Sequence, residues 1–214
     1  AALVVAAVCA SLVFGAVHVP LGDVIDALLG RGEAGPLTEI VLQLRLPRTV
    51  DALVVGAALG VAGALLQGAL ANPLASPDII GVTGGASFGA MLAILAFPSL
   101  IALMPLGALV FGTVAAGMVF LVAWGGRSPS IARLILAGIA ISALFGAATS
   151  ALMVAFSDRV ESAVFWLAGG MPSDGWESMS VCWPYFVVGF AGALFLPRPL
   201  DRLALGDDVA ASLG

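Results

Sequence analysis

Six long apolar runs constrain the fold of this chain more than any other feature. Each is close to the roughly 20 residues that a helix needs to cross the hydrocarbon core of a bilayer. The runs cover about residues 1–17, 52–71, 79–97, 100–124, 134–156 and 179–196. Barrel strands alternate apolar and polar residues, whereas these runs are continuously apolar, so the pattern predicts helices. We therefore expect an all-α, polytopic membrane protein with six transmembrane helices.

The composition also indicates a membrane protein. Hydrophobic residues make up 61% of the 214 residues and charged residues only 10%, too few to cover the core of a soluble domain. The net charge of −5 gives no sign of nucleic-acid binding, which needs clustered basic surface. All eight cations are arginines, so the chain contains no P-loop lysine to contact nucleotide phosphates. If ATP drives this protein, another subunit must bind it.

Shorter segments flank the apolar runs. Residues 21–29 place leucine, valine and isoleucine on one side and two aspartates on the other, which is typical of a helix lying on a membrane surface. Beyond the sixth run, residues 200–205 predict a short amphipathic helix that ends at Gly206, followed by a second helix. We interpret residues 1–17 as a span whose start is missing. A cleaved signal peptide is the competing interpretation, but no cationic leader or small-residue cleavage site precedes His18.

Closely spaced glycines recur in the second and third runs. They are Gly56, Gly60, Gly63, Gly85 and Gly89. Such spacing lets helix backbones approach closely, and we expect packing to be their role. The third run also matches the Gly-x-Ser-x-Gly pattern of serine hydrolases at Ser87. A nucleophilic serine needs a base, and the only histidine is His18 at the rim of the first run, so Ser87 is expected to be a small packing residue.

The sequence offers no pattern for a metal or cofactor. The spacing of cysteine and histidine that is typical of metal sites is absent, and we expect no cofactor. Cys9 and Cys182 both lie in apolar runs and are expected to be membrane-embedded thiols, although a disulfide between them stays open.

Small and polar residues share one face of the fifth run. Close helix packing explains the pattern, and the alternative is the lining of a path for a bulky polar substrate. The candidates for this lining are Ser142, Gly146, Thr149 and Met153. No Asp, Glu, Lys or Arg lies deep in any run, which argues against an ion-coupled secondary transporter.

Arg45 and Arg48 lie three residues apart before the second run, so a helix directs both toward the same side. Taken alone, two arginines at a membrane rim are anchors whose guanidinium groups reach the water, and Asp51 could pair with one of them. The arginines divide four against four between the two sides of the predicted topology, so charge does not decide the orientation.

Ordered motifs along almost the whole chain carry a family resemblance. They are Arg45-Leu-Pro-Arg48, the glycine-spaced run that ends at Gln67, Asn72-Pro-Leu-Ala75, residues 81–89, residues 133–139, residues 165–170 and residues 203–214. In this order the chain resembles the permease subunits of bacterial ABC importers for ferric siderophores, haem and cobalamin. Members of that family have ten helices. The resemblance implies that residues 1–214 form a single permease domain, C-terminally incomplete, with six of ten helices and the N-terminus in the cytoplasm.

The resemblance also implies roles for individual residues. Arg45 and Arg48 match outward-facing arginines that meet glutamates of a substrate-binding protein. Asn72 and Leu74 match a cytoplasmic gate, and Ile131 and Ala132 occupy its second position, where a relative has small hydroxyl residues. Residues 198–214 resemble a cytoplasmic coupling segment that contacts the ATPase, with lipid as the alternative partner of its apolar face. The coupling candidates are Leu203, Leu205, Gly206, Asp207 and Val209.

The implied function is import without catalysis by this subunit. The permease would move an iron chelate into the cytoplasm by alternating access, most naturally a ferric siderophore, with haem or cobalamin as other cargoes. Its partners would be cytoplasmic ABC ATPase subunits, a periplasmic or lipoprotein binding protein, a second permease copy, identical or paralogous, and the lipid of the bacterial inner membrane. A secondary transporter or channel is the alternative from another class, and an intramembrane serine protease is a more distant one.

Overall fold

The computed structural model describes residues 2–32, 35–124, 131–171, 175–197 and 200. Within these ranges every regular element is helical, which confirms the all-α prediction there. The helices are α1 (Ala2–Val13), α2 (Leu21–Leu28), α3 (Pro36–Ala69), α4 (Val82–Ala96), α5 (Pro98–Trp124), α6 (Ile131–Ala155), α7 (Val160–Leu167) and α8 (Trp176–Ala193).

Three of these helices, α3, α5 and α6, are long and apolar enough to cross a bilayer. Three further apolar segments, α1, α4 and residues Met179–Ala193 of α8, are shorter helices of 10–17 residues. Each predicted apolar run therefore coincides with a helix. In the described part of the chain, however, only three helices reach the length of a span.

The start of the second span differs from the prediction. The predicted apolar run begins at about residue 52, whereas the helix begins at Pro36 and continues through Pro47. Proline has no N–H and leaves a carbonyl one turn earlier without its helical partner. A wider π-helical turn over Ile40–Arg45 precedes the proline. There the indole Nε1 of Trp176 donates a hydrogen bond to the carbonyl of Leu42 at 3.1 Å.

The chain forms two compact units, and the first comprises the described residues of Ala1–Ala58 and Met171–Val187. Its core consists of Leu12, Val19, Val24, Ala27 and Val41. The helix predicted at residues 21–29 is confirmed as α2, which contributes two of these core side chains. The first unit thus joins α1, α2 and the start of α3.

The second unit comprises the described residues of Leu59–Gly170 and Val188–Gly214. Its centre is the crossing of α4 and α5. A side chain at Gly85 would overlap the backbone of Phe111, and one at Gly89 would overlap the backbone of Gly107. The close approach predicted for these two glycines is therefore confirmed. By contrast, no described atom lies within 4 Å of a Cβ built at Gly56, Gly60 or Gly63 of α3.

Two apolar clusters stabilise the second unit. One joins α5 and α6 through Ala115, Val119, Ala137, Ile141 and Phe145. The other joins α4 to α7 through Met91, Ile94, Leu95 and the fully buried Ala163. Helix α7 was not predicted from the sequence, because its eight residues form too short a run to resemble a span.

Candidate functional site

An open cleft of about 570 Å³ lies in the first unit beside the two arginines predicted to dock a binding protein. It is formed by the end of α1, the turn that follows α1 and the first part of α3. The lining residues are Ser11, Phe14, Gly15, Ala16, Val17, Ile40, Leu44, Arg45 and Arg48. Among the described residues that line the cleft, the two arginines are the only charged ones, and they give it positive charge.

The guanidinium of Arg45 is bonded to the end of α1. Its Nη1 donates hydrogen bonds to the carbonyl oxygens of Leu12 at 2.7 Å and Val13 at 2.9 Å. Its Nη2 donates to the carbonyl of Val17 in the following turn. The last carbonyls of a helix have no partner within the helix, and a cation there also meets the negative end of the helix dipole. Arg45 therefore caps the C-terminal end of α1.

Arg48 has a different environment, although it lies on the same cleft. Its side chain is exposed, and among the residues that the structure describes none forms a hydrogen bond or ion pair with it. Its charge is therefore available to a partner from outside the first unit.

A pair of hydroxyl groups, from the exposed Ser11 and the buried Thr49, joins α1 to α3 near the cleft. Thr49, which is 5% exposed, donates from Oγ1 to the carbonyl of Arg45 at 2.7 Å. The hydroxyl groups of Ser11 and Thr49 are 2.9 Å apart. Because Thr49 has one proton and has donated it, Ser11 is the donor in this second bond. The pair fixes α1 beside the turn of α3 that carries Arg45.

Residues 70–81, here called the connecting segment, lead from α3 to α4 without regular helix. Ala71 has a positive φ of 46°, which turns the chain away from the helix axis. Oδ1 of Asn72 accepts a hydrogen bond from the backbone N–H of Leu74 at 3.0 Å, the arrangement of an Asx turn. Nε2 of Gln67 donates to the carbonyl of Ala75 at 3.4 Å. These contacts hold the predicted gate residues in a defined turn, with the side chain of Leu74 80% exposed.

The far end of the connecting segment packs on α6. Gly81 has a φ of 74°, in the left-handed region that favours glycine, and a Cβ there would lie 3.0 Å from the carbonyl oxygen of Gly138. A side chain at Gly138 would overlap the carbonyl of Ile79. The second pair of gate candidates, Ile131 and Ala132, is exposed at the start of the same helix. The described contact between the segment and α6 is thus further along α6 than these two residues.

The four residues predicted to line a path have different environments in the structure. Ser142 packs on the start of α4, where a Cβ at Gly84 would lie 3.2 Å from its Cα. Thr149 is buried and bonds through Oγ1 to the carbonyl of Phe145 at 2.9 Å. Met153 packs against the cluster around Met91. Gly146 alone of the four candidates is exposed. These contacts are those of close helix packing, and a lining role for the four residues stays a prediction.

The candidates for ATPase coupling lie outside the described residues. They are Leu203, Leu205, Gly206, Asp207 and Val209. The nearest described residue before them is Leu200, whose Cδ1 lies 3.7 Å from a Cβ built at Gly68 of α3. A coupling role for residues 198–214 therefore also stays a prediction.

Two further arginines bind the ends of helices in the second unit, a role that was not predicted from the sequence. Nη1 of Arg159 donates to the carbonyl of Leu95 near the end of α4 at 2.8 Å. Nη1 of Arg133 donates to the carbonyl of Ala123 near the end of α5 at 3.4 Å. The available signal was their position next to apolar runs, where a cation can reach the last carbonyls of a neighbouring helix.

Comparisons with known proteins place the chain in a family. The pattern of the FecCD transport family matches residues 3–214. The chain is 36% identical over 207 residues to the Fe(3+)-citrate import system permease protein YfmE of Bacillus subtilis (strain 168), covering 95% of this chain and 61% of that protein. It is 36% identical over 214 residues to the ferric enterobactin transport system permease protein FepD of Escherichia coli (strain K12), covering 99% and 64%. The chain thus spans less than two thirds of the length of these relatives.

A solved structure gives the same assignment. It shows an inward-facing conformation of an ABC transporter assigned to the metal-chelate type. The TM-score is 0.78 with 32% sequence identity, over 100% of this chain and 65% of that chain. The close similarity in fold, the matched family pattern and the permease relatives agree, and the chain therefore belongs to the FecCD transport family.

Proposed function

We propose that this chain is part of a transmembrane permease subunit of an ABC importer that moves a ferric chelate into the bacterial cytoplasm. Its family membership supports this function, as do relatives named for ferric citrate and ferric enterobactin import. The subunit alternates access to a path across the inner membrane, and a partner ATPase supplies the energy. Its own residues bind partner proteins, open and close the path and transmit motion. They take part in no covalent reaction.

The proposed topology is multi-pass, with six spans here out of ten in the complete permease. Support comes from the three helices of span length and from the apolar α1, α4 and α8, which coincide with the remaining predicted runs. A helix shorter than the bilayer core can span it by local thinning or by extension with flanking residues. The share of the relatives that this chain covers agrees with six helices of ten.

Three separate parts of the chain suggest the proposed partners. A substrate-binding protein docks at the arginine cleft, where a positive surface attracts an acidic one. A second permease copy, identical or paralogous, faces the exposed Leu74. Cytoplasmic ATPase subunits accept residues 198–214, for which the sequence predicts short amphipathic helices, in a surface groove.

The geometry of the connecting segment is the single observation that carries the transport mechanism. A turn fixed by Asn72 and Gln67 holds an apolar side chain, Leu74, 80% exposed at its tip. An irregular segment next to a span is stable in a membrane protein where it borders protein or a water-filled cavity. We infer that Leu74 closes the cytoplasmic mouth of the path against its counterpart in the second permease copy.

In this proposal the connecting segment also transmits motion from α6 to Leu74. Its far end rests on α6 at Gly138 with backbone against backbone, so a shift of α6 displaces the segment. Tightly packed contacts of this kind transmit displacement because they cannot be compressed. Movement that the ATPase imposes on the permease thus reaches Leu74 through a stiff connection.

The test is nucleotide-dependent cross-linking in the intact transporter. Leu74→Cys is introduced into a permease in which Cys9 and Cys182 are replaced by serine, and a thiol cross-linker joins the two copies. The cross-linking yield is expected to change between the nucleotide-free and ATP-bound states, with uptake of a ⁵⁵Fe-labelled chelate measured in parallel. Leu121→Cys, at a leucine of α5 with a similar exposure of 74%, is the control and should show no nucleotide dependence. A yield at position 74 that never changes would contradict the gate.

A further inference from the structure

We propose that Trp176 supplies to α3 the backbone donor that Pro47 lacks, and that it thereby selects one of two registers open to this helix. In the observed register, residues Ile40–Arg45 form the π-helical turn. In the other register, the same residues would continue as α-helix. The role of Trp176 follows from contacts within the first unit and does not depend on the identity of the cargo.

The π-helical turn leaves the carbonyl of Leu42 without a donor from its own helix. In an α-helix this oxygen would accept the N–H of Leu46, four residues later. Here the N–H of Leu46 is bonded to the carbonyl of Val41 instead. In a π-helix the donor would be residue 47, five residues later, which is a proline without an N–H. Neither kind of helical hydrogen bond is therefore available to Leu42.

Trp176 provides the missing donor from the start of α8. Its indole Nε1 donates to the carbonyl of Leu42 at 3.1 Å, from 134 positions further along the chain. The preceding residue, Gly175, has a φ of 62°, in the left-handed region that favours glycine, and a Cβ there would lie 2.8 Å from the carbonyl oxygen of Gln43. The absence of a side chain at position 175 lets the backbone lie against the π-helical turn. This close approach brings the indole within reach of Leu42.

The alternative register would exchange one unpaired carbonyl for another. If residues Ile40–Arg45 were α-helical, the N–H of Leu46 would return to the carbonyl of Leu42. The carbonyl of Gln43 would then face Pro47 and have no donor. Each register thus leaves one carbonyl that needs a donor from outside the helix backbone. Because the indole of Trp176 reaches Leu42, it favours the π register.

The core of the first unit is compatible with the π register as well. The fully buried Val41 belongs to this core, and Leu46 packs against it. In an α-helix, residues five apart point in directions that differ by about 140°. The wider π-helical turn brings positions five apart closer to the same face, so both side chains can contact the core. Conversion to the α register would rotate one of them away from it.

The π-helical turn is therefore an element with two registers, and one reversible hydrogen bond from α8 favours the observed one. Withdrawal of the indole from Leu42 would let the start of α3 rotate relative to the rest of the helix. Trp176 is a positioning residue in this sense, because it acts on the first unit through the backbone of α3.

A double-mutant cycle in the intact transporter in nanodiscs tests the origin of the donor. Trp176→Phe retains an aromatic ring but removes the N–H, so amide hydrogen exchange over residues 40–46 should become roughly fivefold faster. Pro47→Ala returns an N–H to the backbone, and in this background Trp176→Phe should change the exchange rate by less than about twofold. A backbone N–H cannot replace lost aromatic packing. An equal effect of Trp176→Phe in both backgrounds would therefore overturn the proposal.

Two matched controls separate the hydrogen bond from a general disturbance. Trp183→Phe changes the same residue type on the same helix, at an exposure of 51% against 42%, and this indole has no hydrogen-bond partner among the described residues. Gly175→Ala retains Trp176 but forces the backbone away from the turn. Its control is Gly169→Ala, because Gly169 also has a positive φ, of 81°, and no described atom lies within 4 Å of its Cβ position. Exchange over residues 40–46 should rise in Gly175→Ala and stay unchanged in both controls, and an equal rise in the controls would contradict the specific contact.

Electron paramagnetic resonance measures the register itself. Spin labels are attached at Leu37→Cys and Leu53→Cys, two exposed positions on either side of the π-helical turn, after Cys9 and Cys182 are replaced by serine. Removal of the indole N–H should add a second distance that the unmodified protein lacks. If Trp176→Phe does not assemble, a tryptophan analogue with sulfur in place of the indole nitrogen removes the donor and keeps the shape. A distance distribution identical to that of the unmodified protein would show that this hydrogen bond does not select the register, and the proposal would be wrong.

Discussion

The carbonyl oxygen of Ile79 occupies the space that a Cβ at Gly138 would need. Two backbones are in direct contact there, one in the connecting segment and one in α6. Since the obstructing atom belongs to the backbone, a side chain at position 138 cannot be accommodated by a simple change of rotamer. The contact therefore makes the position of the connecting segment depend on a single glycine.

We expect Gly138→Ala to destabilise the permease by about 1–3 kcal/mol, the usual cost of adding an atom to a packed interior. Gly146 is the matched control, because it lies on the same helix and no described atom is within 4 Å of its Cβ position. Gly146→Ala should be neutral or stabilising by up to about 1 kcal/mol, since alanine favours helix. Denaturant unfolding in detergent measures both, and equal effects of the two substitutions would contradict the close contact.

Arg159→Gln is expected to destabilise the second unit by about 1–3 kcal/mol, because a charge-assisted hydrogen bond to the carbonyl of Leu95 is lost. The ion pair between Arg159 and Asp158 is long, at 3.8 Å, and exposed on both sides. Asp158→Asn should therefore change stability by less than about 0.5 kcal/mol. Thermal unfolding of the two variants separates these contributions. A larger effect at Asp158 would mean that the ion pair, not the helix end, stabilises this region.

Asn72→Ala should loosen the connecting segment, because the N–H of Leu74 loses its acceptor. A net cost of about 1 kcal/mol is expected, together with faster proteolysis between residues 70 and 81. Asn72→Asp retains an acceptor oxygen at the same place and should protect the segment nearly as well as asparagine. Limited proteolysis in nanodiscs measures the difference, and identical cleavage of both variants would show that the Asx turn is dispensable.

Thr49→Val should cost about 0.5–1.5 kcal/mol, because the shape is kept while the hydrogen bonds of the Thr49 hydroxyl to Ser11 and to the carbonyl of Arg45 are lost. Ser11→Ala should cost less, since the bond from Thr49 to Arg45 remains. In a double-mutant cycle the two effects should be non-additive by at least about 0.5 kcal/mol, as for residues in one network. Strict additivity would contradict the bond between the two hydroxyl groups.

The helices and the family could be predicted from the sequence. Continuous apolar runs predict helices because no other structure satisfies the backbone in lipid, and each run has a helix in the structure. The extension of α3 from the apolar run back to Pro36 was not predicted, because the effect of Pro47 on a helix depends on the partners of the carbonyls before it. The π-helical turn over Ile40–Arg45 and the bond from Trp176 to Leu42 let the helix continue. Trp176 is far away in sequence, so no local pattern contains this information.

The sequence by itself determined the all-α class, the approximate helix bounds and the motifs of the FecCD transport family. It also indicated which glycines permit close approach, but only the tertiary structure decided which of them are used. Gly89 is in contact with another backbone and Gly60 has no described neighbour, although both have the same spacing pattern. Likewise, Arg45 and Arg48 lie on one face of one helix, yet the carbonyls at the end of α1 lie within reach of Arg45. Helical periodicity determines the face of a residue, whereas its partner depends on contacts between distant parts of the chain.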